Sequence, residues 1–169
     1  SASIAAFAQP ATAQLIPDRT TGTQITPNLT IKGIPSDRID LGTQKGNNLF
    51  HSFREFNIGG DRGVYFSNPN GITDIFARVT GGNPSSIFGR LGVLGTANLF
   101  LLNPKGFLFG PNASLDLNGS LFVTSADRIR FADNSIFSAV HPEPAPLLTV
   151  SVPIGLGFGP NAGRIEIQG

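Results

Sequence analysis

The chain has 169 residues, enough for one domain with a hydrophobic core, and its formal net charge is +1. The near-neutral charge excludes a strong electrostatic attraction to nucleic acid, and the absence of cysteine excludes disulfides and thiolate metal sites. No apolar run approaches the ~18 residues of a membrane span, so we expect no stable membrane insertion.

Residues 1–13 are predicted to be the remnant of a secretory signal peptide. They carry no charge and end in Ala11-Thr12-Ala13, and two small residues flanking any third residue are typical of a signal cleavage site. A disordered, alanine-rich terminus is the alternative. In both cases the folded domain is predicted to begin at Gln14 and to extend to residue 169.

From Gln14 onward the sequence predicts many short β-strands. Apolar runs such as residues 98–102 (NLFLL) are separated by turn formers, which include 21 glycines and 13 prolines. Residues 114–117 (SLDL) and 164–167 (RIEI) alternate apolar and polar side chains, as strands with one buried face do. No segment keeps a helical period of 3.6 residues for more than a turn or two.

A repeat of about 22 residues runs through these strands. Residues 98–102 and 120–124 match at a shift of 22, and residues 75–77 (IFA) precede residues 99–101 by 24. A phenylalanine followed by a small residue also recurs at spacings of 22, 21, 22 and 27, at Phe66, Phe88, Phe109, Phe131 and Phe158. The longest interval contains the proline-rich residues 141–146, which are predicted to form an inserted loop.

A period of this length in a chain without helices predicts a β-solenoid. At ~3.3 Å per residue such a repeat is too long for one strand, but it fits a coil of three short strands. Stacked coils are expected to place the phenylalanines above one another as an internal aromatic ladder. A β-sandwich in which the phenylalanines fall into register by chance is the alternative. The strand at residues 164–167 is expected to leave an open edge that the coils of a longer passenger would cover.

The sequence offers no constellation for catalysis, a metal ion or a cofactor. His51 lies in an apolar run and His141 in the proline-rich loop, and neither has an acidic cluster nearby. The charged residues that come closest to forming a cluster are predicted to lie on solvated outer faces of the strands. They are Asp116, Asp127, Asp133, Arg128 and Arg130. We therefore expect a protein that is not an enzyme.

Two segments, residues 75–87 and 98–110, resemble in this order the N-terminal secretion domain of two-partner secretion proteins of the filamentous-haemagglutinin type. The resemblance extends from about Ile25 to the C-terminus. The family's most characteristic motif, Asn-Pro-Asn-Gly-Ile after an apolar strand, corresponds here to a sequence that departs from it at the third and fifth positions, Asn103-Pro104-Lys105-Gly106-Phe107. A literal copy lies one coil earlier, at Asn68-Pro69-Asn70-Gly71-Ile72.

The resemblance implies an all-β, right-handed parallel β-helix with an N-terminal cap and extra-helical hairpins. It also implies recognition by a cognate outer-membrane β-barrel transporter, through the periplasmic domains of that partner. The candidate recognition residues are the two motifs above and the pair Asn83-Pro84. Physically these motifs are turns, because Pro fixes φ, Asn bonds its own backbone and Gly accepts a positive φ.

The function predicted from these features is that of a secretion module at the start of a large exported protein. The module would pass through the periplasm, engage its transporter and begin β-helix folding at the cell surface as a monomer. A carbohydrate- or host-binding solenoid that acts as an adhesin is the second hypothesis, although a composition rich in Phe favours burial of the aromatic rings. A polysaccharide-cleaving β-helix enzyme is the third, and the dispersed carboxylates disfavour it.

Overall fold

The computed structural model describes residues 14–142 and 153–168, and within them every regular element is a β-strand. No helix in these two ranges is long and apolar enough to cross a membrane. The predicted signal-peptide remnant, residues 1–13, and most of the proline-rich loop lie outside the described residues. The all-β prediction is confirmed.

The strands are short, and most are three to six residues long, as expected for the corners and sides of a solenoid. In chain order they are β1 (Gln14–Pro17), β2 (Thr23–Ile31), β3 (Ile34–Leu41), β4 (Thr43–Lys45), β5 (Asn48–Asn57), β6 (Gly63–Phe66), β7 (Asp74–Val79), β8 (Ser85–Ile87), β9 (Arg90–Val93), β10 (Asn98–Leu102), β11 (Gly106–Phe109), β12 (Ser114–Asp116), β13 (Leu121–Thr124), β14 (Arg128–Phe131), β15 (Ile136–Ser138), β16 (Pro153–Gly157) and β17 (Arg164–Ile167).

Three parallel sheets form the faces of the solenoid. Face A consists of β5, β7, β10 and β13, face B of β3, β6, β9 and β12, and face C of β8, β11 and β17. Each coil runs from face A through face C to face B. Along face A, Leu49 lies opposite Ile75, Ile75 opposite Leu99, and Leu99 opposite Leu121. The register between residues 98–102 and 120–124 is therefore the one that the sequence repeat predicted.

The phenylalanines that precede a small residue do not form the predicted internal ladder. Phe66 lies on face B opposite Val93, and Phe109 lies on face C opposite Ile87. Phe88 is at a corner and is 39% exposed. The two remaining members, Phe131 and Phe158, belong to an insertion outside the coils. Coil lengths differ, so residues that are evenly spaced along the chain fall on different faces.

The actual ladder lies on face A and consists of Phe50, Phe76, Phe100 and Phe122. Successive ring centroids are 5.3, 4.6 and 4.5 Å apart, and the rings are nearly parallel. Side chains alternate across a strand, and the neighbouring Leu49 and Leu99 belong to the solenoid interior. The ladder is therefore on the outer side of face A.

A small antiparallel sheet, which we call the lid, covers the first rungs of this ladder. It consists of β14, β15 and β16 and is inserted in the fourth coil, between β13 on face A and β17 on face C. In the preceding coil, residues 103–105 alone connect face A to face C. Phe131 and Phe137 of the lid contact Phe50 edge-on, with centroids 5.9 and 4.9 Å away. The lid and the outer ladder thus share a second hydrophobic core.

The N-terminal end of the solenoid carries an antiparallel cap. β1 pairs antiparallel with β5 on face A, β2 and β3 form a long hairpin at the edge of face B, and β4 pairs with β5. The interior core below this cap consists of aliphatic residues and phenylalanines from all three faces. Burial of each such side chain contributes about 1.5–3 kcal/mol. The cap and the insertion agree with the fold that the resemblance implied.

Candidate recognition site

The motif at residues 103–107 forms the corner between faces A and C. The side chain of Asn103 is fully buried, and its Oδ1 accepts a hydrogen bond from the backbone N–H of Lys105 at 2.9 Å. Its Nδ2 donates to the carbonyl of Asn83 at 3.1 Å and to Ser85 Oγ at 3.0 Å. Asn103 therefore closes its own turn and also fastens it to the corner of the coil before.

Only one side chain of this motif faces solvent. Asn103, Pro104 and Gly106 are buried, Phe107 is 2% exposed within the interior core, and Lys105 is exposed. In the folded domain, a partner could therefore contact the Lys105 side chain and little else of the motif.

The literal motif at residues 68–72 forms a different corner, between faces B and A. Asn68 Oδ1 accepts a hydrogen bond from the backbone N–H of Ala97 in the next coil at 2.7 Å. Its Nδ2 donates to the carbonyls of Pro69 and Ile72 at 3.2 and 3.3 Å. Asn70 and its neighbours Pro69 and Gly71 are exposed, and Ile72 anchors the turn in the core.

The structure therefore brings together two of the three candidate groups. Asn83-Pro84 and Asn103-Pro104 are stacked at one corner, where both prolines precede strands of face C. Residues 68–72 lie at a different corner of the solenoid, between faces B and A. Glu55 and Ser85 extend the first group, because Asn83 Nδ2 donates to Glu55 Oε2 at 2.8 Å and Ser85 Oγ accepts from Asn103. Sequence reasoning did not select either residue, since neither belongs to an Asn-Pro unit.

The glycines of the two motifs share a conformation but not an environment. Gly71 and Gly106 have φ values of +86° and +98°, which L side chains rarely adopt. A Cβ at Gly71 would have no atom within 4 Å, whereas a Cβ at Gly106 would overlap the backbone of Arg164 in β17. Gly71 is thus required for backbone geometry, and Gly106 is required both for backbone geometry and for close packing of adjacent coils.

The outer side of face B carries a polar cluster around Tyr65. Its ring lies over Gly92, where a Cβ would meet the ring, and its hydroxyl donates to Asp116 Oδ2 at 2.6 Å. Lys32, at the tip of the β2–β3 hairpin, forms a 2.8 Å ion pair with the same carboxylate. The Lys32 ammonium and the Tyr65 hydroxyl lower the pKa of Asp116. Asp116 is thus engaged in a structural contact.

The remaining candidates do not form one site. His51 lies within the core beside Thr23, and His141 is exposed near the base of the lid. Arg128 and Arg130 are exposed on either side of the buried Ile129, as predicted for a solvated strand face. No group of three or more His, Asp or Glu residues that could hold a metal ion occurs in the part of the chain that the structure describes.

These features define a class of protein, namely a β-solenoid domain with an antiparallel cap, an inserted lid and Asn-Pro turns at its corners. The chain belongs to the TPS secretion domain family, whose model matches residues 5–169. Proteins of this family are exported across the outer membrane with a transporter partner. The resemblance noted in the sequence is confirmed.

Two curated relatives come from Haemophilus influenzae and are described as heme/hemopexin-binding proteins. One, from strain Rd, is 37% identical over 84 residues, which cover 48% of this chain and 9% of the relative. The other is 32% identical over 109 residues, which cover 63% of this chain and 11% of the relative. The chain thus spans about a tenth of the length of these relatives.

Proposed function

We propose that this domain is the part of a large exported protein that a cognate outer-membrane transporter recognises, and that its folding at the cell surface starts the β-solenoid. The family match over residues 5–169 carries this proposal. The fold supports it, because low charge and stacked coils suit a chain that folds progressively as it emerges. We further propose that the domain acts as a monomer without catalytic activity.

The transporter dependence is directly testable. The chain from Gln14 to residue 169, preceded by a signal peptide and followed by a reporter, should reach the medium only in cells that produce the cognate transporter. Without the transporter, the reporter should accumulate in the periplasm. Equal export with and without the transporter would refute the proposal.

One exposed residue from each motif offers a clean probe of recognition. Asn70 and Lys105 face solvent, so their replacement by Ala should change the free energy of unfolding by less than ~0.5 kcal/mol. A loss of export in Asn70→Ala or Lys105→Ala would then report a contact with the transporter. Export at the level of the unsubstituted domain in both variants would exclude these side chains from recognition.

Asn103 requires a control of matched stability, because its side chain is buried and fastens two corners. We propose that the transporter also reads Asn103 in the chain before it folds, when its amide is accessible. Asn103→Ala should then reduce export more than a core variant with the same loss of stability, chosen from a series such as Leu121→Val and Leu121→Ala. Equal export of the matched pair would mean that Asn103 acts through stability alone.

The activity of the whole protein is a separate proposal. The relatives are described as heme/hemopexin-binding, and this chain covers only 9–11% of their length. We propose that any such ligand-binding activity, or an adhesive one, belongs to a passenger outside this domain. Binding of heme or hemopexin to the isolated domain, measured by titration calorimetry, would contradict this division.

A further inference from the structure

A buried arginine connects three parts of the chain that are far apart in sequence. Arg78, on the outer side of face A, is 1% exposed. Its Nε donates to Ser52 Oγ at 2.8 Å, and its terminal nitrogens donate to Thr20 Oγ1 and to the carbonyl of Ser138, both at 2.9 Å. The guanidinium also lies 4.4 Å from the ring centroid of Phe137. Arg78 therefore contacts the cap on one side and the lid on the other.

A carboxylate in the cap completes the arrangement. The two hydroxyls that accept from Arg78 donate onward to Asp18, Ser52 to Oδ2 and Thr20 to Oδ1, each at 2.7 Å. Thr80 Oγ1 also donates to Oδ2, at 2.6 Å. The planar guanidinium thus faces the planar carboxylate through two hydroxyls, and each hydroxyl serves once as acceptor and once as donor. We call this set the clasp: Asp18, Thr20, Ser52, Arg78, Thr80 and Ser138.

The clasp makes the cap and the lid depend on each other. When the lid is closed, Arg78 is out of water, and a buried charge without its partners is strongly unfavourable. The cap supplies those partners through Thr20 and Asp18. When the lid is open, water solvates Arg78, and the same contacts with the cap are worth much less. Closure of the lid therefore favours docking of the cap, and by linkage the reverse holds equally.

We propose that the clasp couples closure of the lid over the outer aromatic ladder to docking of the N-terminal cap. The closed state then requires residues from Asp18 to Ser138, so the cap and the lid close together only after the coils between them have formed. A partly emerged chain that lacks the lid stays open at Phe50 and Phe76. This consequence for a partly emerged chain rests on the secretion function proposed above. The coupling between cap and lid does not depend on that function.

Amide hydrogen exchange of the purified domain tests the coupling. Phe131→Leu weakens the lid and leaves the clasp residues unsubstituted, because Phe131 packs in the lid core against Phe50 and Phe76. Arg78→Met keeps an apolar stem beside Phe137 and removes the charge. Exchange is followed in peptides that report on the cap, residues 18–23, and on the lid, residues 128–139. The two substitutions are compared singly and together.

In the otherwise unsubstituted domain, Phe131→Leu should accelerate exchange roughly tenfold or more in both the lid and the cap. In the Arg78→Met background, the same substitution should accelerate exchange in the lid alone. The coupling is refuted if Phe131→Leu leaves the cap unchanged in the domain that retains Arg78. It is equally refuted if the cap responds to the same extent in both backgrounds.

A milder substitution covers the case in which Arg78→Met does not fold. Thr20→Ala removes the hydroxyl through which the cap meets Arg78, and Thr21→Ala removes a neighbouring hydroxyl that bonds Thr23 instead. Thr20→Ala should uncouple the cap from the lid, and Thr21→Ala should leave the coupling intact. These measurements use folded protein in solution, so their outcome is independent of whether export requires the transporter.

Discussion

At the scale of single residues, Asn103 differs most from what its motif suggested. An Asn-Pro pair before Lys-Gly predicts a turn, and the bond from the Lys105 N–H to Asn103 Oδ1 is that turn. The sequence did not show that the same amide is fully buried and bonds Asn83 and Ser85 of the preceding coil. That contact depends on which corners stack, and a turn motif alone carries no information about stacking.

The burial of Asn103 predicts a large effect on stability. Asn103→Ala should lower the free energy of unfolding by about 2–4 kcal/mol, because Ser85 Oγ and two backbone groups lose their partner out of contact with water. Asn70→Ala, in the exposed turn of the other motif, should cost less than ~0.5 kcal/mol. Urea unfolding of both variants measures the difference. Similar midpoints would show that the buried amide is not a major stabilising contact.

His51 predicts a dependence of stability on pH. Burial lowers the pKa of its imidazole from 6.5 to about 3, despite the opposing effect of the Asp40 charge. As the pH falls through 6.5, His51 of the unfolded chain binds a proton that His51 of the folded domain does not bind. The contribution of neutral His51 to stability is therefore fully present above pH 6.5 and is lost as the pH decreases toward 3. Between pH 7 and pH 5 the loss should be about 2 kcal/mol.

Urea midpoints at pH 7 and pH 5 check the role of His51. His51→Gln should remove most of the difference between the two midpoints, whereas His141→Gln, at an exposed position, should leave it unchanged. Carboxylates with lowered pKa values, such as Asp18 and Asp40, lose their contribution only at more acidic pH. An undiminished pH dependence in His51→Gln would assign the effect to other groups.

At the scale of elements, the two motif glycines allow a matched comparison of neighbouring coils. Gly71→Ala should cost about 1–2 kcal/mol, because alanine is strained at φ +86° but meets no atom there. Gly106→Ala should cost about 2–4 kcal/mol, because its Cβ also overlaps the backbone of Arg164 and displaces β17 from β11. Thermal unfolding gives the comparison, and equal losses would mean that β17 is not held closely against β11.

The strand register shows which part of the sequence repeat predicted the stacking of the coils correctly. The match between residues 98–102 and 120–124 was confirmed, because whole strands with the same pattern of large and small residues pair side by side. The series of single phenylalanines was wrong, because its members include the corner residue Phe88 and the lid residue Phe131. Coil lengths vary with the turns, so a repeated strand predicts stacking better than a repeated residue does.

At the scale of the whole molecule, the fold class followed from the sequence but the lid and the clasp did not. The proline-rich segment indicated an insertion, yet the inserted region covers most of residues 125–163 and not only that loop. Its packing over Phe50 and Phe76 joins residues that are far apart in the chain. Likewise, Asp18 and Arg78 look like ordinary charged residues in the sequence, and only the hydrogen bonds that join them through Ser52 point to the coupling proposed above.

An interior ring and the last ring of the outer ladder are predicted to respond differently to truncation. Phe76 is fully buried between Phe50 and Phe100, so Phe76→Ala should cost about 3–5 kcal/mol. Phe122 stacks on Phe100 but is 49% exposed, so Phe122→Ala should cost only about 1–2 kcal/mol in the 169-residue chain. Guanidinium unfolding of the two variants measures this gradient along the ladder.

The same pair of variants tests whether a longer chain continues the solenoid. Phe122 and Ile167, on faces A and C, are 49% and 78% exposed, so this surface is open to another coil. In a longer chain in which a further coil covers that surface, Phe122→Ala should cost about 3–5 kcal/mol, close to Phe76→Ala. Hydrogen exchange of residues 121–124 gives the local stability in that chain. An unchanged cost of Phe122→Ala would mean that no further coil covers this surface.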